Sequence, residues 1–334
     1  LKRCISLLAS LLIAASMLAP GLILLSDAQP AAADGGTCAE GCADASQTWF
    51  FAEGYTGDGF QEWLCLLNPQ DQVTPIDMNL LFVSGDSQLV ELDLPPQSRT
   101  TLDINAYAGA GKEVSLSLES ELSILAERPM YFIYRGQWKG CTTSTGTTSL
   151  SKSWFFAEGC TREGFEEWLL LANPGDKPVE VDVRLILEDG AVEFVTVPLP
   201  EHSRRTVSIN QVVGEGHDVS ADILSDTHIC AERVMYFNYH GMWQGGHAST
   251  GFNIIQPKHS LFAEGYTGAG FEEWLCIYPI PFSPITKRCI IDLKCYYADG
   301  TEESHQLTLD VGRRHTFSIN QLVGEGREVS LELT

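Results

Sequence analysis

Three glutamates recur, each with a second glutamate nine residues later: Glu53 with Glu62, Glu158 with Glu167, and Glu264 with Glu273. A carboxylate pair can cleave a glycosidic bond when one member is held protonated and the two flank the bond. Triplication argues against that chemistry, because a buried Glu neutralised by a recurring Arg is a common way of holding a fold together. Glu53 and Glu158 sit among apolar residues, where a lone carboxylate is costly. Glu53 is therefore expected to meet Arg128 or Arg99, and Glu158 to meet Arg233 or Arg204.

Other chemistry finds less support. All eight histidines lie at or beyond His202, so no chemistry common to the recurring segments can use them. His240 and His247 flank a Gly-rich stretch and could share a metal, but Arg135 and Thr142 stand at the matching earlier positions. There is no G-x-S-x-G nucleophile elbow. Gly109-Ala110-Gly111-Lys112 imitates a phosphate loop, yet Ala106 and Glu113 replace its first Gly and its Ser or Thr, so it reads as a turn. No D-x-D-x-D-G calcium loop and no zinc-ligand spacing occur. The chain is expected to be no enzyme and to need no cofactor or metal. The best binding candidates are aromatic: Tyr134, Trp138, Tyr239 and Trp243, in Gly-rich segments where an indole could stack on a sugar or a protein. Packing against the next segment is the competing reading and is preferred. Trp63, Trp168 and Trp274, inside apolar strands, are expected in the core.

Internal repetition governs the architecture. F-A-E-G-x-T-x-x-G-F-x-E-W-L begins at Phe51, Phe156 and Phe262, at intervals of 105 and 106 residues, with ten of its fourteen positions constant. R-x-T-x-x-I-N follows at Arg99, Arg204 and Arg314, and A-E-R-x-M-Y-F-x-Y-x-G-x-W-x-G at Ala126 and Ala231. These blocks resemble an uncharacterised repeat of exported bacterial proteins, often found in tandem or beside cell-wall-directed modules. The resemblance covers nearly all of residues 48–334. It implies an extracellular β-sandwich and no activity. Tyr278-Pro279 departs from the pattern where the first two copies have Asn68-Pro69 and Asn173-Pro174.

The texture within a copy is that of strands. Val179, Val181, Val183, Leu185 and Leu187 alternate with more polar neighbours, as in a sheet with one buried face. Asp189-Gly190 marks a hairpin, and only Asn210 to Val213 suggests a helical turn. About seven strands in about 100 residues point to an all-β chain of three tandem immunoglobulin/fibronectin-like β-sandwich repeats, with an eight-stranded jelly roll as the competitor. The expected divisions are 1–33 signal peptide, 34–47 leader, and repeats at 48–150, 151–256 and 257–334. The third is expected to be incomplete at its C-terminal side, lacking the A-E-R strand and exposing apolar surface. Short spacers predict a semi-rigid, beaded rod.

Lys2 and Arg3, an apolar run from Cys4 to Leu25 and Ala31-Ala32-Ala33 read as an export signal. The run is long enough that an uncleaved anchor is the alternative, making residues 1–33 the only membrane contact. Cys65 and Cys276 match Leu170, so they are expected to be buried thiols, with no disulfide common to all repeats. With 44 acidic against 21 basic residues and a net charge of -23, nucleic acid is excluded as a partner. The leading function is a non-catalytic structural or adhesive protein, secreted or held at the bacterial cell surface, with cell-wall polysaccharide or another surface protein as partner. The alternative is an accessory, carbohydrate- or wall-binding region of a larger secreted hydrolase.

Overall fold

The computed structural model describes residues 44–253, 259–281 and 286–334. The expected signal peptide and most of the leader lie outside them. The chain is mostly β-strand, as expected. In the second copy the order is β8 (Ser151–Phe156), β9 (Phe165–Asn173), β10 (Val179–Leu187), β11 (Val192–Leu199), β12 (Ser203–Ser208), a helical turn α2 (Ile209–Val213), β13 (Val219–Tyr239) and β14 (Trp243–Thr250). The first copy has the same order from β1 (Ser46–Phe51) through β2 (Phe60–Asn68), β3 (Thr74–Phe82), β4 (Ser87–Leu94), β5 (Ser98–Asp103), α1 (Ile104–Ala108) and β6 (Val114–Tyr134) to β7 (Trp138–Thr145). The third contributes β15 (Ser260–Phe262), β16 (Trp274–Ile277), β17 (Arg288–Tyr297), β18 (Glu302–Asp310), β19 (His315–Ser318), α3 (Ile319–Val323) and β20 (Val329–Leu333).

One long strand organises each of the first two copies. The first half of β13 pairs with β8 and β10, and β10 with β11. Its second half pairs with β9 and β14, and β9 with β12. Between Leu224 and Ile229 the register with β8 shifts, and there the strand crosses from one layer to the other. This differs from the immunoglobulin order, in which separate strands populate the two sheets and the first strand lies beside the second. The period-2 pattern of β10 buries Val179, Val181, Val183 and Leu185 while Glu180 and Asp182 stay exposed, so both layers close over one core. Trp154 is fully buried in that core and its indole N–H donates to the Ile229 carbonyl at 3.0 Å, beside the crossing. Trp49 donates in the same way to Ile124 at 3.0 Å.

Turn chemistry sets the connections. Gly190 takes φ +89°, closing the β10–β11 hairpin through its N–H to the Leu187 carbonyl at 2.9 Å, a conformation that favours glycine. Ser208 caps α2 by accepting from the Gln211 N–H. The copies are not beads on linkers: β12 of the second touches β3 of the first through a parallel bridge between Ser203 and Phe82.

Replacing Trp154 by Ala should cost roughly 3–5 kcal/mol, as for other large buried aromatics. Phe194→Ala, on a ring 68% exposed, should change stability by less than about 0.5 kcal/mol. Urea midpoints of the two variants check this, and equal midpoints would contradict the core assignment.

Candidate functional site

The constant residues of the repeat first build clamps inside each copy. Asn105 accepts from the Glu62 N–H at 2.8 Å and donates to the Phe60 carbonyl at 2.9 Å. Asn210 does the same with Glu167 and Phe165, and Asn320 with Glu273 and Phe271, all at 2.9 Å. Ser115, Ser220 and Ser330 donate to the alanine carbonyl of each F-A-E-G, at 2.5, 2.7 and 2.8 Å. Glycine closes the motif because the second glutamate folds over it. A Cβ on Gly54 would come within 2.3 Å of the Val114 carbonyl and 2.8 Å of both Glu62 oxygens, and Gly159 and Gly265 are crowded in the same way.

The remaining constant residues form a seam between the first and second copies. Arg128 and Glu232, one from each A-E-R, are both fully buried and meet at 2.8 Å. The same guanidinium donates to the Glu53 carbonyl at 2.5 Å and to Ser144 Oγ at 2.8 Å. The Glu53 N–H donates to Glu232 Oε2 at 2.5 Å. Arg204, from R-x-T of the second copy, donates to the Gly54 carbonyl at 2.7 Å and lies 3.8 Å from the Glu53 carboxylate. Around these charges Phe60, Met130 and Phe132 of the first copy pack on Leu170, Val234 and Tyr236 of the second. Tyr134 stacks flat on Tyr236, centroids 4.0 Å apart, and its hydroxyl donates to Glu166 at 2.5 Å and accepts from the Trp168 indole at 3.2 Å.

The partners therefore differ in part from expectation. Glu158 does meet Arg233, but the Glu53 carboxylate pairs across copies with Arg204, while Arg128 is committed to Glu232. Among the described residues Arg99 donates to the Cys65 sulfur, at 3.0 Å, and not to Glu53. Among the aromatic candidates, Tyr134 is spent on the seam and Trp138 packs beside it, centroids 5.8 Å apart. Tyr239 donates to Glu272 of the third copy at 2.6 Å, with Trp243 beside it. Trp63, Trp168 and Trp274 are not core residues: two are half-buried and Trp274 is 50% exposed, because they stand on the outer face of their sheet. The core indoles are Trp49 and Trp154. Cys65 and Cys276 are likewise half-buried instead of buried, and the seven described cysteines are free. Leu170 is buried at the matching position only because the first copy covers it. Sequence reasoning missed Glu232 and Arg204 as a seam. The signal was the recurrence of A-E-R and R-x-T, which can be satisfied across copies as well as within one.

The second seam reuses part of this design. Arg314 donates to the Gly159 carbonyl and, at 3.1 Å, to that of Val219, and Tyr278 donates to Asp222 at 3.0 Å. No counterpart of Glu232 faces Arg233 among the described residues of the third copy. Burial, with Arg314 close by, pushes the Arg233 guanidinium down to about 10. By contrast, Glu232, Glu62 and Glu53 outweigh burial at Arg128 and raise its pKa.

The first seam holds three buried acids, Glu53, Glu62 and Glu232, against two arginines. Burial pushes Glu62 up to about 8, against the pull of Arg128, and raises Glu53 against Arg204. Neither Glu62 oxygen has a hydrogen-bond partner among the described residues. In the second copy burial also pushes Glu167 up to about 8, opposed by the Cys160 N–H. Among the described residues no three His, Cys, Asp or Glu side chains converge to hold a metal.

The chain matches no protein-family model and no curated relative. Among solved structures it is similar to Thermotoga maritima 1070, at 21% identity over 31% of this chain and 95% of that one, TM-score 0.29. It is also similar to the Anabaena sensory rhodopsin transducer, at 17% identity over 26% and 91%, TM-score 0.23. A tetra-tandem repeat in the extending region of a large adhesion protein aligns at 8% identity over 85% and 65%, TM-score 0.14.

Glu62 and Glu167, both pushed up to about 8, set a pH dependence. Between the ordinary carboxyl value of 4.5 and about 8, the folded chain keeps protons that the unfolded chain releases. Their contribution is complete below that window and is lost as pH rises through it. The double variant Glu62→Gln/Glu167→Gln should flatten the fall in melting temperature across this range. An unchanged slope would show that these carboxyls are ionised in the fold.

Proposed function

We propose that the chain is a non-catalytic structural or adhesive protein of the bacterial cell surface, built from tandem β-sandwich repeats. The observation that carries this reading is the employment of its repeated polar residues. Asn105 and Ser115, with their equivalents in the other copies, are engaged in clamps within copies, and Arg128, Arg204 and Glu232 in the seam between the first two, so these residues hold the fold together instead of facing a substrate. A buried ion pair gives register more reliably than stability, and register between successive units is what a load-bearing or display element requires. The contact surface for cell-wall polysaccharide or another surface protein lies at the Gly-flanked hairpins, where Trp243 and Met242 are exposed.

Antibodies raised against the chain should label intact cells that produce it, and the chain should be retained on immobilised cell-wall polysaccharide. Trp243→Ala should lower that retention several-fold without changing the melting temperature. Labelling that appears only after permeabilisation would overturn the surface assignment, and undiminished retention of the variant would remove the hairpin from the binding surface.

A further inference from the structure

The seam between the first two copies is closed but not filled. It leaves a cavity of about 260 Å³, at the small end of the range for ligand sites and with room for a single sugar ring. Its walls are largely aromatic: Tyr55, Phe60 and Tyr134 come from the first copy, and Trp168 and Tyr236 from the second. Tyr55 and Tyr236 both meet Phe60 edge-on, centroids 4.8 and 6.0 Å away. The polar part of the lining is one cluster. Arg204, fully buried, donates to Thr206 Oγ1 at 3.1 Å, and Thr206 donates in turn to Glu113. The same guanidinium lies 3.8 Å from Glu53 and 3.9 Å from Glu113. Tyr236 is 3% exposed, and among the described residues its hydroxyl donates to none. Half-buried Tyr55 and the more exposed Glu113 stand at the rim, where both also border a wider hollow of about 620 Å³.

We propose that this cavity binds one neutral pyranose unit of a glycan, packed on the aromatic walls and hydrogen-bonded by Glu113 and the Tyr236 hydroxyl. The C–H faces of a sugar ring suit aromatic surfaces, whose π faces are electron-rich. Its hydroxyls both donate and accept, which matches a carboxylate on one side and an unengaged phenol on the other. Charge decides between a sugar and other small ligands. A cation would be set against Arg204, and an anion against Glu53 and Glu113. The wider hollow that shares Tyr55 and Glu113 gives a bound glycan room to continue outward. Because both copies supply the walls, the site exists only while the seam is in register, and a bound sugar favours the docked arrangement. The inference stands on this cavity and not on the exposed hairpin or the cell-surface reading, so either can fail alone.

Ligand-observed NMR titration of the full chain tests this, with the methyl glycosides of glucose, galactose, mannose and N-acetylglucosamine as probes and glucuronate and choline as charged controls. At least one neutral glycoside should bind with a dissociation constant in the millimolar range or tighter, and more tightly than either control. Leu170→Trp, which fills the cavity, should abolish binding. Tyr55→Ala, at the rim, should weaken it about fivefold, the scale of one aromatic contact, and decides the matter if the first variant fails to fold. Phe194→Ala, remote from the seam, should bind as wild type does. Melting curves identify the folded variants. Binding of none of the four glycosides, tighter binding of glucuronate or choline, or a folded Leu170 or Tyr55 variant that binds like wild type would each overturn the proposal. Retention on immobilised polysaccharide is a separate measurement, so a failure here leaves the hairpin reading standing and the converse also holds.

Discussion

The contact between Arg128 and Glu232 is the constraint on which the first two repeats depend. Both side chains are removed from water, and an ion in such a place survives only if its remaining donors and acceptors are satisfied. The surroundings supply the Glu53 main chain and Ser144, and burial favours the neutral form of Glu62 beside them. These partners come from the F-A-E-G-to-F-x-E-W block and from the A-E-R strand and the strand after it, far apart in the chain. In the first seam their shared task is to neutralise a charge that one unit presents to the next. An apolar seam of equal area could be as stable, but would tolerate sliding. The ion pair admits one register.

The two seams show how much of this demand each residue class carries. Arg204 and Arg314 reach the equivalent glycine carbonyl, and Tyr134 and Tyr239 donate to equivalent glutamates of the following copy, Glu166 and Glu272, at the variable position of F-x-E-W. These contacts are common to both seams. Arg233 pairs with Glu158 of its own copy, and burial, with Arg314 close by, lowers the pKa of its guanidinium. The arginine and tyrosine contacts set the approach of successive units. The buried ion pair completes it.

Strands, the helical turn after R-x-T-x-x-I-N and the hairpin at Asp189-Gly190 were legible in the sequence, because alternation, caps and turn residues act locally. The faces of the sheet were not. A period of two says that Trp168 and Leu170 point away from Leu169 and Leu171, but not which side is covered by a neighbouring unit. Hence Trp63, Trp168 and Trp274 read as core residues, and Cys65 and Cys276 as buried thiols. Leu170 and Cys65 hold equivalent positions and differ in burial only because one of them has a unit packed upon it. The partner of Glu53 was missed for the same reason, since a repeated arginine is available from two copies and sequence spacing does not choose between them.

A double-mutant cycle on Arg128 and Glu232, measured by denaturant unfolding of the full chain, tests the central claim most directly. Each single change to Ala should cost roughly 3–5 kcal/mol by stranding a buried charge. The double variant should cost less than the sum by more than about 1 kcal/mol, the coupling expected of residues in contact. Additive effects would mean that the two repeats are not joined through this pair, and that their register is set elsewhere.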